Sequence, residues 1–175
     1  YLFGVAAGVF LISSILWSVT VFYQKTTPQP VEGGSYTEGI VGQPIAINPL
    51  IAGDNDADRD LIALLFTSLF DLAETHKADP AQKVWTITLK ENLKWSDGEP
   101  LTTDDVIFTI ETVQDPEARS PVFATWQGVL AERLSERELR LTLKNPYAFF
   151  LDNIKNLRIA PQHIFVNIPP QNFRL

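Results

Sequence analysis

The residues with the clearest potential for chemistry are three aspartates at alternate positions, Asp54, Asp56 and Asp58. This D-x-D-x-D spacing opens the calcium loop of an EF-hand, which needs Gly at its sixth position and a bidentate Glu at its twelfth. In this chain those two positions are occupied by Arg59 and Leu65. We therefore interpret the acidic run as the charged start of a helix with competing N-cap residues, and we predict no calcium site.

The other residues that catalysis or metal binding would use are sparse or badly spaced. His76 and His163 lie far apart, and the chain has no cysteine, so no zinc site is expected. Asp104 and Asp105 are adjacent, and adjacent helical residues point about 100° apart, so they are interpreted as helix-start acids. No nucleophile elbow or phosphate-binding glycine motif occurs. The chain is predicted not to be an enzyme and to use no metal or cofactor.

The sequence of residues 83–113 predicts a strand, a turn and the helix that begins near Asp104 and Asp105. Alternating apolar and polar residues from 85 to 90 predict a half-buried strand. The sequence SDGEP that follows predicts a turn in which Gly98 is free to adopt a positive φ. Thr102 or Thr103 then stands where it can cap a helix. The buried face of this helix is predicted to comprise Val106, Ile107, Ile110 and Val113.

The string WSDGEPLTTDDVIFTIE, residues 95–111, resembles the signature region of the family 5 extracellular solute-binding proteins, the oligopeptide and dipeptide receptors of bacterial ABC importers. Other stretches resemble the same family in the same order along the chain: NPL at 48–50, DRDLIALLFTSLF at 58–70, DLAE at 71–74, LRLTLKNPYAFFLDN at 139–153 and IAPQHI at 159–164. Members of the family usually carry a further strand between the positions of Phe70 and Asp71, and they continue well beyond the position of Leu175. The chain is therefore expected to be an N-terminal portion of such a protein.

The resemblance implies the N-terminal part of a two-lobed periplasmic-binding-protein-like fold of type II, with its extra peripheral subdomain. The residues themselves indicate an α+β fold, because short strands and helices do not alternate strictly. We expect a linker over 24–35, the first strand or strands of the ligand-binding lobe over 36–50, and a peripheral α+β subdomain over 51–175. Within the subdomain a mostly buried helix is predicted at about 58–70, and a hairpin is predicted to pair 129–134 with 138–144.

Residues 1–23 are predicted to form a transmembrane helix. They carry no charged side chain, and at about 1.5 Å per residue they are long enough to cross a bilayer core. Trp17, Phe22 and Tyr23 at the distal end fit an interfacial aromatic belt. An uncleaved anchor is favoured, and a cleaved signal segment or a buried core helix remain alternatives. The resemblance implies that the soluble part is extracytoplasmic, in the periplasm or at the cell surface.

The net charge of −7 argues against a nucleic-acid partner, because the basic residues are interleaved with acids instead of being clustered. The resemblance implies instead a monomer that binds a peptide or another small solute and delivers it to ABC permease subunits in the membrane. The alternative is a membrane-anchored interaction or scaffold module that keeps the fold without transport.

Candidate ligand-binding residues come from the resemblance, which implies that the first strand offers backbone groups to an extended peptide and that a later loop places an aromatic side chain near the ligand. An edge strand can bind peptides of many sequences, because it pairs with backbone groups. The structural alternative is a plain core strand and core aromatic residues. The candidates are Val41, Gly42, Gln43, Pro44, Ile45, Phe123 and Trp126.

Overall fold

The computed structural model describes residues 2–25, 33–35, 37–51 and 55–173. Contacts divide the chain into two compact units, Tyr1–Gly39 and Ile40–Leu175. Most of the predicted linker, Tyr36 at the start of the predicted first strand, and Asp54 of the acidic run lie outside the described residues.

The first unit consists mainly of helix α1, Leu2–Lys25. Its stretch Phe3–Tyr23 has a mean hydropathy of 2.1 and is, among the described residues, the one helix long and apolar enough to cross a membrane. The hydroxyl of Thr20 donates to the carbonyl of Leu16 at 2.8 Å, a bond inside the helix that an apolar environment would favour. A segment of the predicted length and composition is therefore present, while its role as an anchor or a signal stays a prediction.

The second unit is built on a four-stranded antiparallel sheet in the order β1-β2-β4-β3. The strands are β1 (Ala73–Ala78), β2 (Val84–Leu89), β3 (Leu130–Arg133) and β4 (Glu138–Thr142). In β2 every second residue is buried, and Ile87 pairs with Leu139 across the strands. The predicted half-buried strand and hairpin are thus confirmed. Strand β1 was not predicted, because its sequence AETHKA is polar and almost entirely exposed at the sheet edge.

Helix α4, Thr103–Val113, buries its apolar stripe in the same core as the inward face of the sheet. Ile110 and Leu141 are both 0% exposed. Ile107 was predicted to be buried but is only half-buried, because it follows Val106 directly and therefore points about 100° away from it. The preceding turn has the predicted geometry, with Gly98 at φ 96°.

Short helices complete the second unit and connect its strands. Helix α6 (Phe150–Asn156) inserts Phe150 and Ile154 into the core, where they are 1% and 0% exposed. The remaining short helices are Pro116–Ala118 (3₁₀), α5 (Phe123–Trp126), α7 (Gln162–Phe165) and Pro170–Asn172 (3₁₀).

The predicted helix at about 58–70 is wrong in its extent and its burial. Helix α2 runs over Asp56–Leu65, Phe66 is extended, and a separate short helix α3 covers Leu69–Leu72. The break comes from Ser68, whose side chain accepts the backbone N–H of Asp71 and so caps the new helix. Leu65 is 63% exposed, so this part of the apolar stripe faces mainly solvent.

Within residues 36–50, where the first strand or strands were predicted, the described residues 37–47 form no strand. No neighbouring strand pairs with these residues in the part of the chain that the structure describes. Two of their amides, those of Ile45 and Ala46, donate to the side chain of Asp58 instead of to a strand. The stretch is therefore an irregular surface segment.

Candidate ligand-binding site

The segment from Val41 to Ile45, called here the 41–45 segment, lies on the surface of the second unit. The side chain of Val41 is 99% exposed and that of Ile45 is 81% exposed. Gly42 has a φ of 134°, a value that glycine adopts easily because it has no Cβ. Solvent therefore reaches all five residues that were predicted to contact a ligand on this segment.

The first turn of α2 holds this segment in place. The Ile45 N–H donates to Asp58 Oδ1 at 2.8 Å and the Ala46 N–H donates to Asp58 Oδ2 at 3.1 Å. One turn earlier, Asn55 Nδ2 donates to the carbonyl of Gln43 at 2.7 Å. The same Asn55 caps α2 with its oxygen, which accepts the Ala57 N–H. The predicted helix start is confirmed, with Asn55 as its N-cap.

Sequence reasoning missed the role of Asn55 and Asp58 as partners of the 41–45 segment. It assigned them to the helix start, which accounts for only part of their contacts. The local pattern points only to a capping role, because an acid at the third helical position ordinarily accepts its own N-cap amide. Nothing in the sequence indicates that the Asp58 side chain instead accepts amides twelve and thirteen residues earlier.

The two aromatic candidates occupy different environments. Phe123 is half-buried at the start of α5. Trp126 is 1% exposed, and its ring meets the edge of Phe150 at a centroid distance of 5.3 Å. Trp126 therefore lies in the core, and contact between either aromatic and a ligand stays a prediction. No hydrogen bond or ring contact within the described residues joins either aromatic to the 41–45 segment.

A groove of about 340 Å³ lies beside α5, at the end of the sheet where β3 begins and β4 ends. Its floor includes Val129, Leu143 and Phe150, and its polar lining includes Thr125 and Lys144. The side chain of Phe123 does not line this groove. The volume lies within the range of small-molecule sites, but sequence reasoning gave no reason to single out these residues.

The acids of α4 have structural partners, as the helix-start interpretation requires. Asp105 is 5% exposed and accepts the Thr102 N–H at 2.9 Å, which completes a capping box. Its other oxygen accepts the Gln162 N–H at 2.9 Å. Asp104 pairs with Arg133 at 3.0 Å on the surface. Asp105 thus connects α4 to the first residue of α7 in addition to capping its own helix.

Two aspartates in loops have a pKa below the ordinary value. A hydrogen bond from His163 to Asp97, with Nε2 and Oδ2 2.8 Å apart, lowers the pKa of Asp97. The backbone N–H of Val84 lowers the pKa of Asp79 in the same way. Both carboxylates stabilise loops by accepting hydrogen bonds. His163 thus bonds to a surface acid, and no group of three His, Cys, Asp or Glu residues able to hold a metal ion occurs among the described residues.

Residues 70–173 match the family described as bacterial extracellular solute-binding proteins, family 5 Middle. The chain belongs to this family. The oligopeptide-binding protein AppA of Bacillus subtilis (strain 168) is 27% identical over 158 residues, which cover 83% of this chain and 29% of AppA. The chain thus spans less than a third of the length of this family 5 relative.

Solved structures of family 5 proteins share the fold. AppA from Bacillus subtilis in complex with a nonapeptide matches with a TM-score of 0.68 and 26% identity, over 76% of this chain and 29% of that one. NikZ from Campylobacter jejuni in complex with Ni(L-His) matches with a TM-score of 0.68 and 27% identity, over 75% and 28%. The mixed helix and strand fold of a periplasmic binding protein, predicted from the sequence, is confirmed. AppA is named as an oligopeptide-binding protein, and the family model describes solute-binding proteins.

Proposed function

We propose that the chain is part of the substrate-binding component of a bacterial ABC importer, which captures oligopeptides or dipeptides between two lobes and delivers them to a membrane permease. One observation carries the proposal: over 76% of its length the chain matches AppA, which was solved with a nonapeptide, with a TM-score of 0.68. Closure of two lobes around a ligand by a hinge is a common mechanism of such receptors. The partners in this scheme are the solute and the permease subunits, and the receptor acts as a monomer.

Peptides are the preferred ligand class for this chain. AppA, named as an oligopeptide-binding protein, aligns with 83% of the chain. The backbone groups of the 41–45 segment suit a ligand with many amides, because amide pairing does not depend on side-chain identity. NikZ, solved with Ni(L-His), has the same fold, so other small solutes need to be tested beside peptides.

The N-terminal helix supports a location at the membrane, and membership of the extracellular solute-binding family supports a place outside the cytoplasm for the second unit. Its apolar stretch Phe3–Tyr23 is long enough for a membrane anchor. If it is an uncleaved anchor, the protein stays in the membrane fraction after carbonate extraction of the cells. Release of a mature form that lacks this stretch would instead identify a cleaved signal segment.

Calorimetric titration tests the ligand-binding part of the proposal. The complete open reading frame that carries this chain is expressed, purified, and titrated with dipeptides, a nonapeptide and Ni(L-His). We expect micromolar or tighter binding of at least one peptide. A matched titration with free amino acids shows whether the affinity depends on peptide bonds. If none of these solutes binds, the transport proposal fails, and a scaffold module becomes the better explanation of the anchored fold.

A further inference from the structure

The carboxylate of Asp58 is an unusual element of the second unit, because it is buried and both of its oxygens bind amides of a surface segment. It is 5% exposed, and its oxygens accept the N–H groups of the consecutive residues Ile45 and Ala46 at 2.8 and 3.1 Å. A buried carboxylate is costly unless its oxygens are hydrogen-bonded. The two hydrogen bonds therefore stabilise the buried carboxylate and also hold the backbone of residues 45–46 in place.

Asn55 adds a third bond to the same stretch. Its amide nitrogen donates to the carbonyl of Gln43 at 2.7 Å, while its oxygen remains engaged with the N-terminus of α2. A single asparagine therefore couples the start of a helix to the backbone two residues before Ile45. Together, Asn55 and Asp58 bind three backbone groups within residues 43–46.

Apart from Ala46, which packs against the core, these residues have few other contacts. The side chains of Val41 and Ile45 are almost fully exposed, and no strand in the described part of the chain pairs with them. The backbone conformation of 43–46 thus depends mainly on the three bonds from α2. A binding segment that is already ordered loses less conformational entropy when a ligand arrives.

We infer that Asn55 and Asp58 are positioning residues for ligand binding, which hold the 41–45 segment ready and decide which of its backbone groups a ligand can use. This inference rests on the proposed function. The amides of Ile45 and Ala46 are already occupied, and Pro44 has no N–H. Within the described residues no donor reaches the carbonyls of Pro44 and Ile45. Ligand groups that meet the backbone of residues 44–46 are therefore hydrogen-bond donors, such as the N–H groups of a peptide.

Two variants of the complete open reading frame test the inference. In Asp58→Asn one oxygen is replaced by an NH₂ group that faces an amide, so the segment loses one bond and gains a repulsive contact. In Asn55→Ser the N-cap is preserved, because serine caps helices well, while the donor to Gln43 is removed. We expect Asp58→Asn to weaken binding of the best peptide on the order of tenfold, and Asn55→Ser to weaken it severalfold.

Asp105→Asn is the matched control for loss of stability. Asp105 is also 5% exposed, also stands third in its helix, and also accepts two backbone amides, but none of them belongs to the 41–45 segment. The control should lower the melting temperature about as much as Asp58→Asn and leave the peptide affinity unchanged. Asp60→Asn, an exposed change on the same helix as Asp58, should alter neither quantity.

Hydrogen exchange of the ligand-free protein separates failure of this inference from failure of the proposed function. The amides of Ile45 and Ala46 should exchange more slowly than that of Val41, and Asp58→Asn should abolish the difference. If the wild type binds no solute, the proposed function fails while the exchange result still tests the contact. If Asn55→Ser and Asp58→Asn both fold and bind as tightly as wild type, the positioning role is overturned. Equal loss of affinity in Asp105→Asn would also overturn it, since the effect would then be one of general stability.

Discussion

The starts of helices α2 and α4 are built from the same local parts, but they connect to different surroundings. Each begins with a polar N-cap residue, Asn55 or Thr102. Each then has an aspartate at the third helical position, Asp58 or Asp105, that is 5% exposed and accepts two backbone amides. Local capping rules therefore predict both helix starts equally well.

The difference lies in the amides that the two acids bind. One oxygen of Asp105 returns to its own N-cap and the other reaches Gln162, next to residues of the core. Both oxygens of Asp58 accept amides outside α2, from a segment that has no sheet partner among the described residues. Asp105 thus stabilises a core that is already packed. Asp58 instead orders a surface segment that has little packing of its own.

Hydrogen exchange of the chain in a mild detergent should give the largest contrast between the two surroundings. Amides of β2 and β4 exchange only when the core opens, so they should be protected at least about a thousandfold more than the amides of Val41 and Gly42. Mass spectrometry of peptides from both regions measures this ratio. Strong protection of Val41 would mean that the 41–45 segment is covered, and the comparison would break down.

A matched pair of leucine substitutions should give the next largest effect. Leu141→Ala removes a fully buried side chain and should lower the free energy of unfolding by about 3 kcal/mol. Leu65→Ala makes the same change at a side chain that is 63% exposed, and should alter it by no more than about 0.5 kcal/mol. Urea unfolding followed by tryptophan fluorescence measures both values. Equal losses would show that Leu65 is packed in solution.

Asp105→Asn should cost about 2 kcal/mol, because an asparagine side chain offers one acceptor to two buried amides and leaves the other amide without a partner. Asp104→Asn, which removes an exposed ion pair with Arg133, is the control and should cost no more than about 0.5 kcal/mol. The same urea titration applies, and similar costs for the two variants would contradict a tertiary role for Asp105.

The contact between Asp97 and His163 should give the smallest effect, and one that depends on pH. The hydrogen bond from His163 lowers the pKa of Asp97 in the folded chain below its ordinary value of 3.8. The ionised carboxylate therefore contributes stability above that value, and the contribution disappears as the pH falls through the lowered pKa. Urea midpoints between pH 5 and pH 2 should fall less steeply in Asp97→Asn than in wild type. An unchanged slope would show that the contact contributes nothing.

Much of the fold could be predicted because local periodicity and packing agree in its central part. The alternation that begins at Trp85, the turn at Gly98 and the cap at Thr102 each have a local physical cause, and the structure confirms them. Strand β1 could not be predicted in the same way, because an exposed edge strand needs no apolar alternation. The break of the predicted helix near Ser68 could not be predicted either, because the apolar stripe continues across that position.

The candidate site was predicted less completely than the fold. The resemblance to the family pointed to the 41–45 segment, and the structure places that segment on the surface without assigning it a ligand. Trp126 was proposed on the same basis, but aromatic character alone does not distinguish a core ring from a ligand-facing ring. Its contact with Phe150 arises from α6, which is distant in sequence.

The sequence by itself determined the apolar N-terminal helix, the central strand, turn and helix, and the membership of the solute-binding family, because these features depend on composition and on neighbours within a few residues. Only the tertiary structure decided that Asp58 orders the 41–45 segment and that Asp105 fastens α4 to Gln162. A carboxylate binds whichever amides are brought near it. Those amides lie many residues away along the chain, and no local pattern encodes that distance.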